Sequence, residues 1–220
     1  MKKVVYAVVA ACFSCSVKAG SYDDFFRALI RDDPGEVRAW IDKGFDANAR
    51  DPNGQPAIVR ALLVESWQTA LALAKAPGLD PNARNASGET PLMMAALKGR
   101  LEVCEVLIER GAEVAPASGW TPLHYAAAGD SLPVTRLLLQ HGARLDARAP
   151  NRRTPLMLAA LHASEEVIGT LLATGADPQL RDENDATAAD LAARSGRERL
   201  AAALRERVKV DPLERGNAPR

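Results

Sequence analysis

Thr121-Pro122-Leu123-His124 has counterparts at near-constant spacing along the chain, and that periodicity leaves few folds open. Thr90-Pro91-Leu92-Met93 lies 31 residues before it, Thr154-Pro155-Leu156-Met157 lies 33 after it, and Thr187-Ala188-Ala189-Asp190 a further 33. A period of about 33 residues means that one supersecondary unit is copied and stacked, because such a unit cannot bury its apolar face alone.

Aligned on the Thr position, six units emerge, anchored at Asp23, Pro56, Thr90, Thr121, Thr154 and Thr187. Two residues on sits Phe25, Ile58, Leu92, Leu123, Leu156 or Ala189. Five and six residues on, Ala61-Leu62, Ala95-Ala96, Ala126-Ala127 and Ala159-Ala160 supply small side chains that let neighbouring helices approach closely. Later runs such as Val106-Leu107-Ile108 and Leu137-Leu138-Leu139 predict the apolar face of a second helix in each unit. Gly44, Gly111, Gly142 and Gly175 follow those runs, as a left-handed C′ residue requires. Each Thr predicts an N-cap and each Pro a first helical position, where its missing N–H costs nothing.

The repeated T-P-L-H, with Asp46-Ala47-Asn48-Ala49-Arg50 and Asp80-Pro81-Asn82-Ala83-Arg84 after the terminal glycines, resembles the ankyrin repeat. The resemblance covers about residues 21–207 and implies an all-α repeat solenoid, each unit a helix pair plus a β-hairpin finger. It places units near 21–50, 51–84, 85–115, 116–148, 149–181 and 182–207, the outer two acting as polar-faced caps and 208–220 as a flexible tail. It also implies that His124 bonds locally and braces neighbouring units, whereas Met93 and Met157 leave theirs to packing. The segment from Gly111 to Gly119 is two residues short, so a stubby finger is expected at 115–118. The second unit departs from the pattern, with Gln55-Pro56-Ala57-Ile58 for T-P-L and an extra residue near Pro77-Gly78.

Met1-Lys2-Lys3, then an uncharged run from Val4 to Phe13, then Val17-Lys18-Ala19 reads as the basic, apolar and cleavage regions of a secretory signal over residues 1–19. The apolar run is too short for about 20 spanning residues. Val9-Ala10-Ala11-Cys12 also resembles a lipobox, which would anchor the chain through a lipidated Cys12. The chain holds 28 basic and 28 acidic residues, and loss of Lys2, Lys3 and Lys18 leaves it weakly acidic, with no electrostatic case for nucleic acid.

Chemistry is sparse. Gly129-Asp130-Ser131-Leu132 spells the GDSL string of a class of esterases, with Ser131 as nucleophile, but no D-x-x-H block follows. Asp130 falls where Gly99 and Gly196 fall in their units, which reads as the turn between helices. His124, His141 and His162 lack metal-ligand spacing, so no metal and no cofactor is expected. Cys104 sits among Val103, Val106 and Leu107 and reads as a small buried hydrophobe. Asn85-Ala86-Ser87 is a glycosylation sequon, meaningful only in a eukaryotic secretory route.

The resemblance implies a concave face lined by fingers and first helices. The variable positions there include Arg60, Glu89, Met94, Leu97, Lys98, Trp120, Tyr125, Arg153, Leu158, Leu161 and His162, and of these Arg60, Met94, Trp120, Tyr125, Arg153, Leu158 and His162 are nominated as partner-binding. Trp120 and Tyr125, from one unit, have the composition of an interface hot spot. The expected protein is a monomeric, non-catalytic binding module of the bacterial periplasm. Resemblance to exported bacterial ankyrin-repeat proteins implies a co-exported enzyme, such as a peroxide-defence enzyme, or a toxin as its partner.

Overall fold

Thr-Pro starts, glycine stops and a turn of two or three residues between apolar runs give helix pairs all along the chain. The computed structural model describes residues 19–210. The first helix of each pair is α1 (Ala19–Ile30), α3 (Ala57–Leu63), α5 (Pro91–Leu97), α7 (Pro122–Ala128), α9 (Pro155–His162) or α11 (Ala188–Arg194). The second is α2 (Pro34–Asp42), α4 (Trp67–Ala74), α6 (Leu101–Glu109), α8 (Leu132–Gln140), α10 (Glu165–Ala173) or α12 (Glu198–Val210). First helices pack side by side in one row and α2 to α10 in another, each against its immediate neighbours. Among the described residues there is no strand, only an isolated antiparallel bridge from Arg50 to Pro56. The chain is thus the all-α repeat solenoid its periodicity predicts.

Local chemistry sets each boundary. Thr90, Thr154 and Thr187 take extended φ/ψ and accept from the amides of Met93, Met157 and Asp190, each at 3.3 Å. Gly44, Gly111, Gly142 and Gly175 all have φ between 80° and 103°, the left-handed C′ conformation. In the second unit α4 ends at Ala74 with Lys75 as its C-cap, and the left-handed glycine, Gly78 at φ 73°, comes three residues after that cap rather than directly after it.

In five of the six pairs the turn between helices holds a left-handed residue, Gly99 or Gly196 in two and Asp32, Glu65 or Asp130 in the others. The two aspartates gain something a glycine could not. Asp32 Oδ1 accepts from the Thr69 amide at 2.8 Å and Asp130 Oδ1 from the Ser164 amide at 2.7 Å, each in the next unit.

One hydrophobic core runs the length of the stack, through Leu29, Leu62, Leu92, Leu123, Leu156 and Leu191 on the first row and Leu73, Leu107, Leu138 and Leu171 on the second. Finger bases tie neighbours together. Asn48 donates to the Gly78 carbonyl at 2.9 Å and accepts from the Asp80 amide at 2.7 Å; Asn82 repeats this with Gly111 and Glu113.

The ends differ from the motif. Asp23 caps nothing, because α1 begins a turn earlier at Ala19. Rings fill this first unit: Phe25 stacks on Phe45 at 4.2 Å and meets Phe26 edge-on at 5.3 Å, with Tyr22 and Trp40 beside them. At the other end α12 continues to Val210, with Ala201 and Leu204 buried. Residues 1–18, where the signal and Cys12 are expected, and residues 211–220 lie outside the described residues.

A candidate partner-binding face

Three of the fingers hang on one side chain placed five residues before the anchor. Asp51 Oδ1 accepts from the amides of Asn53 and Gln55 at 2.8 and 3.0 Å. Asn85 and Asp182 repeat this geometry, with Ser87 and Glu89, and with Asn184 and Ala186. The cross-finger backbone bonds Asp51 to Gln55, Asn85 to Glu89, Ala149 to Arg153 and Asp182 to Ala186 measure 2.9 to 3.0 Å. Among the described residues the finger before Trp120 has no such bond, as its short sequence predicts.

On this frame stand the nominated residues. Arg60, on α3, pairs through Nε with the buried Asp51 at 3.9 Å. Arg153 pairs likewise with Asp182 at 3.4 Å. Asp182 is only 1 % exposed. Burial works to raise its pKa, but the amides of Ala186 and Asn184 and the Arg153 guanidinium outweigh that and hold the carboxyl below its ordinary range.

Trp120 and Tyr125 meet nearly at right angles, with ring centroids 6.4 Å apart, and both are partly exposed. Trp120 also packs edge-on to His124 at 5.4 Å. The Tyr125 hydroxyl donates to Glu89 Oε1 at 2.9 Å, and Glu89 Oε2 accepts from Asn85 Nδ2 at 2.8 Å. Burial, then the Glu89 carboxylate, push the phenol above its ordinary pKa.

His124 fixes the frame beneath them. It is fully buried. Its Nδ1 accepts from the Thr121 amide at 3.2 Å and meets the Thr121 hydroxyl at 2.8 Å, while Nε2 donates to the Arg153 carbonyl at 3.0 Å. A carbonyl can only accept, so the proton sits on Nε2. Burial lowers the imidazole pKa to about 4, against the opposing bonds to carbonyls. The bracing role implied for His124 is the one it has. In the fifth unit the Thr154 amide points instead at Met157 Sδ, 3.4 Å away, and in the sixth Asp190 takes the place of the imidazole.

The seven nominated positions therefore divide. Trp120, Tyr125 and Arg153 gather round His124, and Leu158 stands partly exposed on neighbouring α9. Arg60 lies two units away and His162 is exposed at the end of α9. Met94 does not belong to this surface. It is 3 % exposed and part of the core, because the close approach of α5 to α7 covers it. Glu89, one of the variable concave positions though not among the seven, links the finger of the third unit to Tyr125. The register of Asp51, Asn85 and Asp182 could have signalled how these fingers are built.

The remaining chemical motifs are structural. Ser131 is the 8 %-exposed N-cap of α8, and no histidine is hydrogen-bonded to its hydroxyl. Gly129 is demanded by contact, since a Cβ there would lie 2.1 Å from the Leu97 carbonyl oxygen. Asn85 of the sequon is buried with its amide bonded to Glu89. Burial pushes the Cys104 thiol up to about 12, far from a reactive thiolate. Among the described residues no cluster of three or more metal-ligating side chains occurs, and no helix is long and apolar enough to cross a membrane.

Comparison with known proteins gives one consistent result. A family model described as "Ankyrin repeats (3 copies)" matches residues 16–117, 49–149 and 114–182. The rat protein "Ankyrin repeat and SAM domain-containing protein 6" is 34 % identical over 137 residues, 62 % of this chain. Its mouse counterpart is 33 % identical over the same length. The chain spans only 12 % of the length of either relative.

Proposed function

The chain belongs to the ankyrin-repeat family, and from that premise we propose that it is a non-catalytic module that grips a partner protein on the face built by its fingers and first helices. The observation that carries this reading is the Trp120–Tyr125 pair. Both rings are partly exposed, they come from a middle unit, and the bonds of His124 and Glu89 hold their backbone and one ring tip in place. Aromatic side chains fixed before binding lose little freedom on contact, and such residues dominate interface energetics. Beside them the Arg153–Asp182 ion pair is a polar contact already satisfied within the chain.

The setting follows from the basic, apolar and small-residue order of residues 1–19, which supports export to the bacterial periplasm. A co-exported enzyme or a toxin is the partner that the resemblance to exported bacterial ankyrin-repeat proteins favours. Anchoring through Cys12 is the second route, read from Val9-Ala10-Ala11-Cys12. Mass spectrometry of the mature N-terminus separates Gly20 from a lipidated Cys12.

The test of the binding face is affinity capture from the producing cell with the wild-type chain, Trp120→Ala and Tyr125→Ala in parallel. A partner recovered by the first and lost by both variants supports the reading. Equal recovery by all three overturns it.

A further inference from the structure

Two carboxylates at the finger bases are matched to a cation, Asp51 to Arg60 and Asp182 to Arg153. Glu89 is not. Among the described residues no Lys, Arg or His lies within pairing distance of it, and its hydrogen bonds come from the neutral Tyr125 hydroxyl and Asn85 amide, together with its own finger. Neutral donors orient a carboxylate without cancelling its charge.

The same carboxylate touches one wall of an aromatic corner. Tyr125, bonded to Glu89, stands at 80° to Trp120 with 6.4 Å between centroids. A ring face attracts a cation within about 6 Å of its centroid, Trp more strongly than Tyr. Among the described residues the cations held over rings are Lys43 over Trp40 and Arg100 over Trp67; Trp120 and Tyr125 have none. Arg153, the cation of the next unit, has its Nε on Asp182 and its carbonyl on His124.

Two rings set as a corner, beside an oriented and uncompensated carboxylate, match the chemistry of a basic side chain. We propose that the corner formed by Trp120, Tyr125 and Glu89 is the receptor for a Lys or Arg side chain of the bound protein. The inference rests on the finger-face reading above and adds to it the charge of the group that enters first. It gives the bare apolar contact of Trp120 a polarity, since an acidic or purely aliphatic anchor would leave Glu89 without a counter-ion in a drying interface.

The test uses the full chain with its three tryptophans labelled with nitrogen-15, so that the Trp120 indole N–H is one of three resolved signals. The probe is an acetylated, amidated pentapeptide with lysine at its centre and alanine and leucine around it. Arginine, glutamine and glutamate versions serve as comparisons. Expected is a saturable shift of the Trp120 signal by the lysine and arginine peptides, with Kd on the order of 1 mM for one such contact. The glutamine peptide should bind at least ten-fold more weakly. Glu89→Gln should abolish the preference for lysine over glutamine while leaving the thermal midpoint close to that of the wild type.

Equal shifts by lysine and glutamine peptides would sink the charge inference and leave the finger-face reading intact. So would an unchanged lysine preference in Glu89→Gln, or shifts of Trp40 and Trp67 as large as that of Trp120. Absence of any shift also overturns it. The broader reading fails by a different result, the equal capture of partner by Trp120→Ala and Tyr125→Ala.

Discussion

His124 Nε2 donates to the Arg153 carbonyl at 3.0 Å, so one imidazole of the fourth unit holds the finger base of the fifth. With its proton on Nε2, the neutral ring leaves Nδ1 to accept from the Thr121 amide, and protonation of Nδ1 would remove that second bond.

Stability should therefore fall in mild acid. His124 titrates near 6.5 when unfolded and about 4 when folded. The unfolded state binds the proton more readily, so the contribution is complete above about pH 6.5 and shrinks as pH drops toward 4, by about 3 kcal/mol in all. His124→Met, the residue already used at the equivalent Met93 and Met157, should lower stability at neutral pH and remove this slope. Urea unfolding between pH 4.5 and 7.5 measures both.

Thr135→Val should stabilise the chain. Thr135 is fully buried in α8 and its hydroxyl has no hydrogen-bond partner. The same register holds Cys104 and Ile168, both buried, so the site is apolar. Removing an unpaired buried hydroxyl at nearly constant volume is worth about 1 kcal/mol. A thermal midpoint below that of the wild type would contradict the assignment.

Two glycines should respond differently to alanine. Gly129 has φ −85° and no conformational need to be glycine, but its Cβ would strike the Leu97 carbonyl; Gly129→Ala should cost about 3 kcal/mol. Gly142 has open space around it and φ 80°, so Gly142→Ala should cost only about 1 kcal/mol of backbone strain. Paired chemical denaturation curves give the ranking.

Left-handed residues should part in the same way on replacement by glycine. Arg152 sits at a finger tip with φ 59°, where three other fingers have Gly54, Gly88 and Gly119, so Arg152→Gly should gain about 0.5 kcal/mol. Asp130, at φ 52°, carries similar strain but its carboxylate accepts from the Ser164 amide; Asp130→Gly should lose about 1 kcal/mol. Similar backbone angles with opposite signs of effect would separate strain from side-chain bonding.

Most of the helical frame was legible because it is written in one-dimensional code. Thr caps, C′ glycines and apolar spacing each act within a turn or two of chain, so Thr90, Gly111 and Leu123 could be assigned from their neighbours alone. What escaped was set between units. Met94 occupies a position that is partly open at Arg60, Tyr125 and Leu158 but buried at Met94 and Leu191. Asp23 aligned with the Thr anchors, yet nothing in the motif said that α1 would start at Ala19. Glu89 stands at a variable concave position, but its bond to Tyr125, 36 residues on, could not be read from its neighbours. Contacts of that span depend on how the units lean together, which no single repeat encodes.

Among the described residues the cross-unit hydrogen bonds all link immediate neighbours, with separations near the length of one repeat, as in Asn48 to Gly78 and Tyr125 to Glu89. None of these bonds clamps one end of the array to the other. The stack thus has the mechanics of a leaf spring: each seam can yield by a small angle and the increments add, so its span can adapt to what it holds while every bond survives. Pulled from its termini, it should give way one seam at a time rather than in a single rupture.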